Sequence, residues 1–254
     1  TQLNNKLSCI LMISALMMKM GAAPTHFWLP EVMQGSPMTT ALLITTWQKI
    51  APITLLYTIS NHIEPTITLL IGVLSILAGG WGGFNQTQVR KMMAYSSIAH
   101  LGWTMTVISI MPNIALTNII IYMIISTPFF FLITTTSSKT LQTLTTTWNY
   151  APTTTMILMF LMLSMAGLPP LTGFTPKLLI LDNLITHKLI LTATLMALLS
   201  LLSLTFYLRT TYLLTSTASP TTAQSTALWR LKPHQNQTTA ALTPIALFNI
   251  TILP

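Results

Sequence analysis

Charge is what this chain of 254 residues has least of. Asp, Glu, Lys and Arg together make up 6% of it, and only three residues are acidic. Soluble domains carry roughly 25% charged residues, so a water-facing globule is excluded. Cysteine is nearly absent as well: Cys9 stands alone in an apolar run, which excludes a disulfide framework. The five His and the single Cys show no metal-ligand spacing, and no nucleophile is paired with a base. No polar stretch is long enough for a soluble domain. A dinucleotide or flavin site would need a βαβ unit, and none fits. No segment reads as a secretory signal or a basic amphipathic transit peptide.

What is present is apolar length. Hydrophobic residues make up 52% of the chain, with Leu, Ile, Met and Thr filling long runs. A membrane span needs about 20 predominantly apolar residues. Eight crossings are expected, near 3–32, 37–60, 65–83, 90–111, 113–137, 152–182, 188–214 and 239–254. The first and sixth are long because each contains a break. The fold class is therefore an all-α polytopic membrane protein, with residues 1–254 as a single transmembrane domain. Heavy use of Met and Thr with so little charge suits a hydrophobic, organelle-encoded protein. The ends read as those of a fragment: Thr1 enters an apolar helix almost at once, and TAALTPIALFNITILP is short for a crossing.

The formal net charge of +8 is spread out, with Arg90–Lys91 as its one tight pair. This pattern excludes a nucleic-acid patch and is better read as topology. The first, third, fifth and seventh loops hold Arg90, Lys91, Lys139, Arg209, Arg230 and Lys232 against Glu31. The other loops hold Lys6 and Lys188 against Glu64 and Asp182. The odd loops are expected on the matrix or cytoplasmic side.

Against this background three lysines stand out. Lys19 lies in LSCILMISALMMKMGAAP, Lys49 in MTTALLITTWQKIAPITLLY, and Lys177 in LMLSMAGLPPLTGFTPKLLILDNL. A charge at bilayer depth costs about 2.5–3.5 kcal/mol on insertion scales, and such residues serve ions, protons or a counter-charge. Lys19 adjoins Gly21-Ala22-Ala23-Pro24, and Lys177 follows Gly167-Leu168-Pro169-Pro170 with Gly173 and Pro176. Helix-breaking clusters beside intramembrane charge mark transporter binding sites. Carbonyls freed by the prolines need a partner, and an ammonium has three donors to offer. Lys49 falls about 18 Å along its helix, near mid-core, and Pro52 is expected to kink that helix.

Other features have plainer readings. Gly79-Gly80-Trp81-Gly82-Gly83 lacks the Lys-Ser/Thr and preceding strand of a phosphate loop. Gly79 and Gly83 read instead as a small-xxx-small pair for close helix packing. Trp28 suits a headgroup-level anchor. Ser96 and Ser97 are expected to bond carbonyls of neighbouring helices. His100, one turn from Ser96, is either another such packing residue or a proton relay.

Four stretches, KMGAAPTHFWLPEV, ALLITTWQKIAP, GGWGGFNQTQVRKMMAYSSIAHLGW and AGLPPLTGFTPK, together resemble the NADH dehydrogenase subunit 2 family. These are antiporter-like membrane-arm subunits of mitochondrial respiratory complex I. The resemblance runs along essentially the whole chain, with the stretches in the family's order. It implies an antiporter-like bundle of two inverted repeats with one broken helix each. Residues 1–60 would end the first repeat, 65–214 would form the second, and 239–254 would begin a final helix. It further implies a charged chain: Lys19 as the pumping lysine facing a carboxylate on an earlier helix, Lys49 as the connecting lysine, and Lys177 as the terminal one. Partners would be other complex I membrane-arm subunits and the lipid bilayer of the mitochondrial inner membrane. NADH, flavin, iron–sulfur clusters and ubiquinone would belong to partner subunits, with no cofactor in this chain.

The sequence departs from the wider pattern in three places. The family's first helices, and with them the partner carboxylate of Lys19, are not among these residues and are expected upstream of Thr1. The fifth crossing carries no Lys or His, and Thr25 stands where an aromatic is more usual. Three readings follow. The leading one is a core membrane subunit of NADH:ubiquinone oxidoreductase that couples electron transfer to proton translocation. An approaching carboxylate would hold the proton on a buried Lys, and its withdrawal would release it. The alternatives are a stand-alone cation/proton antiporter and a structural membrane-arm spacer whose lysines only satisfy freed carbonyls.

Overall fold

The computed structural model describes residues 2–149, 151–218 and 237–248. Arg230, Lys232 and the last part of the expected eighth crossing lie outside these residues. Regular structure among the described residues is helical: α1 (Gln2–Met20), α2 (Trp28–Gly35), α3 (Met38–Thr45), α4 (Trp47–Ile59), α5 (Pro65–Phe84), α6 (Val89–Ile108), α7 (Pro112–Thr136), α8 (Leu141–Thr146), α9 (Pro152–Ala166), α10 (Phe174–Thr186), α11 (Ile190–Ser216) and α12 (Gln237–Phe248). One isolated antiparallel bridge joins Gln88 and Thr140. Helices α5, α7 and α11 are each long and apolar enough to cross a membrane.

Both expected breaks are present. Residues 21–27 separate α1 from α2, and residues 167–173 separate α9 from α10. A third discontinuity falls between α3 and α4, inside the segment read as one kinked crossing. It sits at Thr46, while Pro52 lies within α4. At this point Thr45 Oγ1 donates to the carbonyls of Ala41 and Leu42, and Thr46 Oγ1 donates to Leu42 O at 2.7 Å.

Helix α6 is the hub. Every residue from Met92 to Ile108 except Tyr95 is buried. Glycines bring the neighbouring backbones close. A Cβ on Gly79 would lie 2.7 Å from Ala99 N and 2.8 Å from Tyr95 O, whereas one on Gly83 would lie 3.0 Å from the Phe206 ring. The expected pair is thus divided between two neighbours, Gly79 serving α6 and Gly83 serving α11.

The loops that the charge count groups together meet at one end. Arg90 Nη1 donates to Gln34 O and Ser36 O, Leu141 N donates to Thr87 O, and Arg209 Nη1 donates to Phe84 O. At the other end Tyr57 Oη bonds Asn113 Oδ1, and Thr68 bonds Ser109. Trp28 Nε1 donates to Met18 O at 3.0 Å, tying the first break to the end of α1.

Candidate functional site

The site begins with how α9 stops. Gly167 has φ +83°, a left-handed conformation that costs an ordinary residue about 1–2 kcal/mol. Its N–H caps the carbonyls of Leu163 and Ser164, and Leu168 N–H also reaches Leu163 O. Pro169 and Pro170 have no N–H to offer. The next free carbonyl therefore turns to a side chain: Ala166 O accepts from Lys177 Nζ at 2.7 Å. The last four carbonyls of a helix have no partner within it, and here those of Leu163, Ser164 and Ala166 each have one. Gly173 lets the returning chain pass against Ser164 O, where no Cβ would fit.

Lys177, on the first turn of α10, is 8% exposed, and its ammonium lies 5.9 Å from the centroid of the Trp103 ring. Lys49, on α4, is 3% exposed; its Nζ donates to Ser97 O at 3.3 Å and lies 5.2 Å from the Tyr122 ring centroid. His100 sits between them. Its ring is 4.9 Å from that of Tyr122. On one side it lines a cavity of about 10 Å³ with Lys49, Ser97, Thr104, Asn118 and Tyr122. On the other it lines a narrow cleft with Trp103, Lys177, Ser203 and Tyr207. One imidazole is thus the shared wall between two buried lysines.

The electrostatics are unusual for what surrounds these cations. Glu31, Glu64 and Asp182, the chain's three acids, are all exposed. The buried ammonium groups are instead met by carbonyl dipoles and aromatic faces, which attract a cation more weakly than a carboxylate does.

Lys19 is placed differently. It is exposed, in a groove of about 300 Å³ lined by Leu16, Gln48, Ala51, Pro52 and Leu55. Gln48 and Lys49 are consecutive on α4 and so point about 100° apart. The groove and the buried chamber therefore use different faces of one helix. The structure brings Lys49, His100 and Lys177 together and leaves Lys19 on the outer side of α4.

Ser96 and Ser97 correct their expectation. Their hydroxyls donate to Met93 O and Ala94 O, both on their own helix, at 2.7 Å. Six polar or aromatic residues of the site escaped sequence reading: Trp103, Thr104, Asn118, Tyr122, Ser203 and Tyr207. For two of them the sequence does carry a signal: Asn118 and Tyr122 are polar groups one turn apart in the middle of the apolar fifth crossing.

Residues 1–203 match the family described as NADH:quinone oxidoreductase/Mrp antiporter, TM. NADH-ubiquinone oxidoreductase chain 2 of Varanus timorensis is 52% identical over 99% of this chain and 72% of its own length. The chain belongs to the NADH-ubiquinone oxidoreductase chain 2 family. The chain 2 protein of Polypterus ornatipinnis is 48% identical over 96% of this chain and 70% of its own length. Among solved structures, a chain of respiratory complex I from Thermus thermophilus shares the fold with TM-score 0.73 and 24% identity. It aligns with 94% of this chain, which spans 56% of its length. A chain of the Mrp complex from Dietzia sp. gives TM-score 0.71 at 17% identity, over 87% of this chain and 44% of that one. Like its chain 2 relatives, the protein is a multi-pass membrane protein.

Proposed function

We propose that the chain works as a proton-translocating membrane-arm subunit of mitochondrial complex I, with Lys49, His100 and Lys177 as its buried relay. The observation that carries this reading is the shared imidazole wall: two lysines, 3% and 8% exposed, on opposite sides of one histidine. Lys19, in its open groove on α4, is the outer member of the series and exchanges protons with groups beyond this surface. Each ammonium is held by one carbonyl and one ring face. A neutral amine keeps an N–H for that carbonyl, so the proton can leave without orphaning the helix end.

The reading includes eight crossings in the mitochondrial inner membrane, with residues 1–60 ending a first inverted repeat, 65–214 forming the second and 239–254 belonging to a final helix. NADH oxidation, flavin, iron–sulfur clusters and ubiquinone belong to partner subunits, and this chain supplies the membrane half of the coupling. Its family membership supports the assembly, and the similarity to complex I supports the fold.

The test uses the full-length subunit in assembled complex I. Lys19→Met, Lys49→Met and Lys177→Met are each expected to lower the number of protons moved per NADH oxidised in reconstituted membranes. Electron transfer from NADH to an artificial acceptor at the redox sites should stay intact. Wild-type proton stoichiometry in all three variants would defeat the relay and leave the lysines as carbonyl partners only. The fold shared with the Mrp complex also suits a stand-alone cation/proton antiporter. Purification separates the two readings, since an antiporter behaves alone and a pump subunit travels with the large assembly.

A further inference from the structure

Five buried side-chain polar atoms lack a hydrogen-bond partner among the described residues, and three of them fall in this one cluster: His100 Nδ1, Tyr122 Oη and Tyr207 Oη. A buried tyrosine hydroxyl normally finds a partner, and an unsatisfied buried polar group in a native fold calls for a reason. The two tyrosines come from different helices, α7 and α11, and are 4% and 1% exposed. Ser96 lies near both hydroxyls, with Ser97 and Thr45 also near that of Tyr122, and neither hydroxyl is hydrogen-bonded to it in this arrangement. Ser96 gives its own proton to Met93 O, so its lone pairs remain free to accept.

We propose that Tyr122, Ser96 and Tyr207 form a hydroxyl branch that carries protons between Lys49 and Lys177 in parallel with His100. It rests on the relay reading above and adds a second route to it. Each tyrosine borders the cavity of one lysine, and its hydroxyl must rotate to reach that lysine. Tyr122 shares with Lys49 the cavity of about 10 Å³, close to the volume that admits one water. Tyr207 shares the second cleft with Lys177. Transfer is a hop from one lysine as ammonium to the other as neutral amine, with no net change in any hydroxyl. Each oxygen accepts a proton from the preceding group as its own hydrogen passes to the next, so each residue ends neutral. Ser96 must rotate its proton away from Met93 O for the hop and back again to reset. No bond to carbon changes, and no electron moves.

The experiment uses assembled complex I carrying Tyr122→Phe, Tyr207→Phe, His100→Gln and the two His100→Gln/Tyr→Phe double variants. Phe keeps each ring, and with it the stacking on His100 and the face under Lys49, so a difference reports on the hydroxyl. Assembly is checked by NADH oxidation with an artificial acceptor. His100→Gln should retain part of the proton stoichiometry. Each double variant should then fall at least about twofold below the product of its single effects, the low end of coupling between contacting residues. The hydroxyl branch also predicts that the solvent deuterium isotope effect on pumping changes in Tyr122→Phe, which a packing role would not produce. Complete loss of pumping in His100→Gln alone overturns the branch, because a parallel route would have carried some flux. Double variants no worse than that product overturn it too. The underlying relay fails by a separate result, unchanged stoichiometry in the lysine variants.

Discussion

Gly167→Ala probes the break directly. The perturbation has two parts that the structure separates. At φ +83° an alanine costs about 1–2 kcal/mol in backbone strain. Its Cβ would also lie 3.0 Å from Lys177 Nζ and Cδ and 3.2 Å from Cε. The lysine must give by a few tenths of an ångström, lengthening its 2.7 Å bond to Ala166 O. A shift of one or two kcal/mol changes a population ratio by roughly 5–30-fold, here against the arrangement in which Lys177 closes the helix end. Gly35→Ala is the control, because nothing lies within 4 Å of a Cβ there. Thermal inactivation of NADH:ubiquinone activity in the assembled complex should begin at a lower temperature in Gly167→Ala than in Gly35→Ala. Its proton stoichiometry should fall as well. If the two variants behaved alike in both assays, the account of the break as a strained seat for Lys177 would be refuted.

Three further predictions concern packing, coupling and topology. Gly79→Leu should block the approach of α5 to α6, where even a Cβ meets backbone at 2.7 and 2.8 Å; the expected result is loss of assembled subunit on native gels, with Gly35→Leu assembling normally. Arg90→Ala removes the charged donor to Gln34 O and Ser36 O, worth roughly 1.5–3 kcal/mol for each such bond, and should make the turn after α2 more susceptible to protease in open membranes. Lys19→Arg should restore little of the pumping lost in Lys19→Met, because a guanidinium does not release its proton at working pH; full rescue would show that charge alone suffices there.

The sequence by itself determined the class of this protein and the chemistry it had to contain. Scarce charge and long apolar runs leave a helical membrane bundle as the solution, because a continuous run of about 20 apolar residues satisfies its backbone in lipid as a helix, whereas a barrel strand alternates apolar with polar residues. Gly167 with Pro169 and Pro170 announced a broken helix, since proline lacks the N–H that continues the ladder. Lys177 was legible as the donor for the freed carbonyls on donor count alone. The grouping of basic loops anticipated which loops meet at one end. Tertiary structure decided the rest. Lys49 and Lys177 are far apart in sequence, and only the packing of α4 and α10 around α6 sets both beside His100. Lys19 and Lys49 looked alike in one dimension, yet one lies in an open groove and the other in a closed chamber, because a helix turns about 100° per residue and neighbouring helices cover only some of its faces. Tyr122 and Tyr207 were silent for the same reason. A tyrosine in an apolar run reads as bulk or as an interface anchor, and what its hydroxyl meets is fixed by the helices packed across from it.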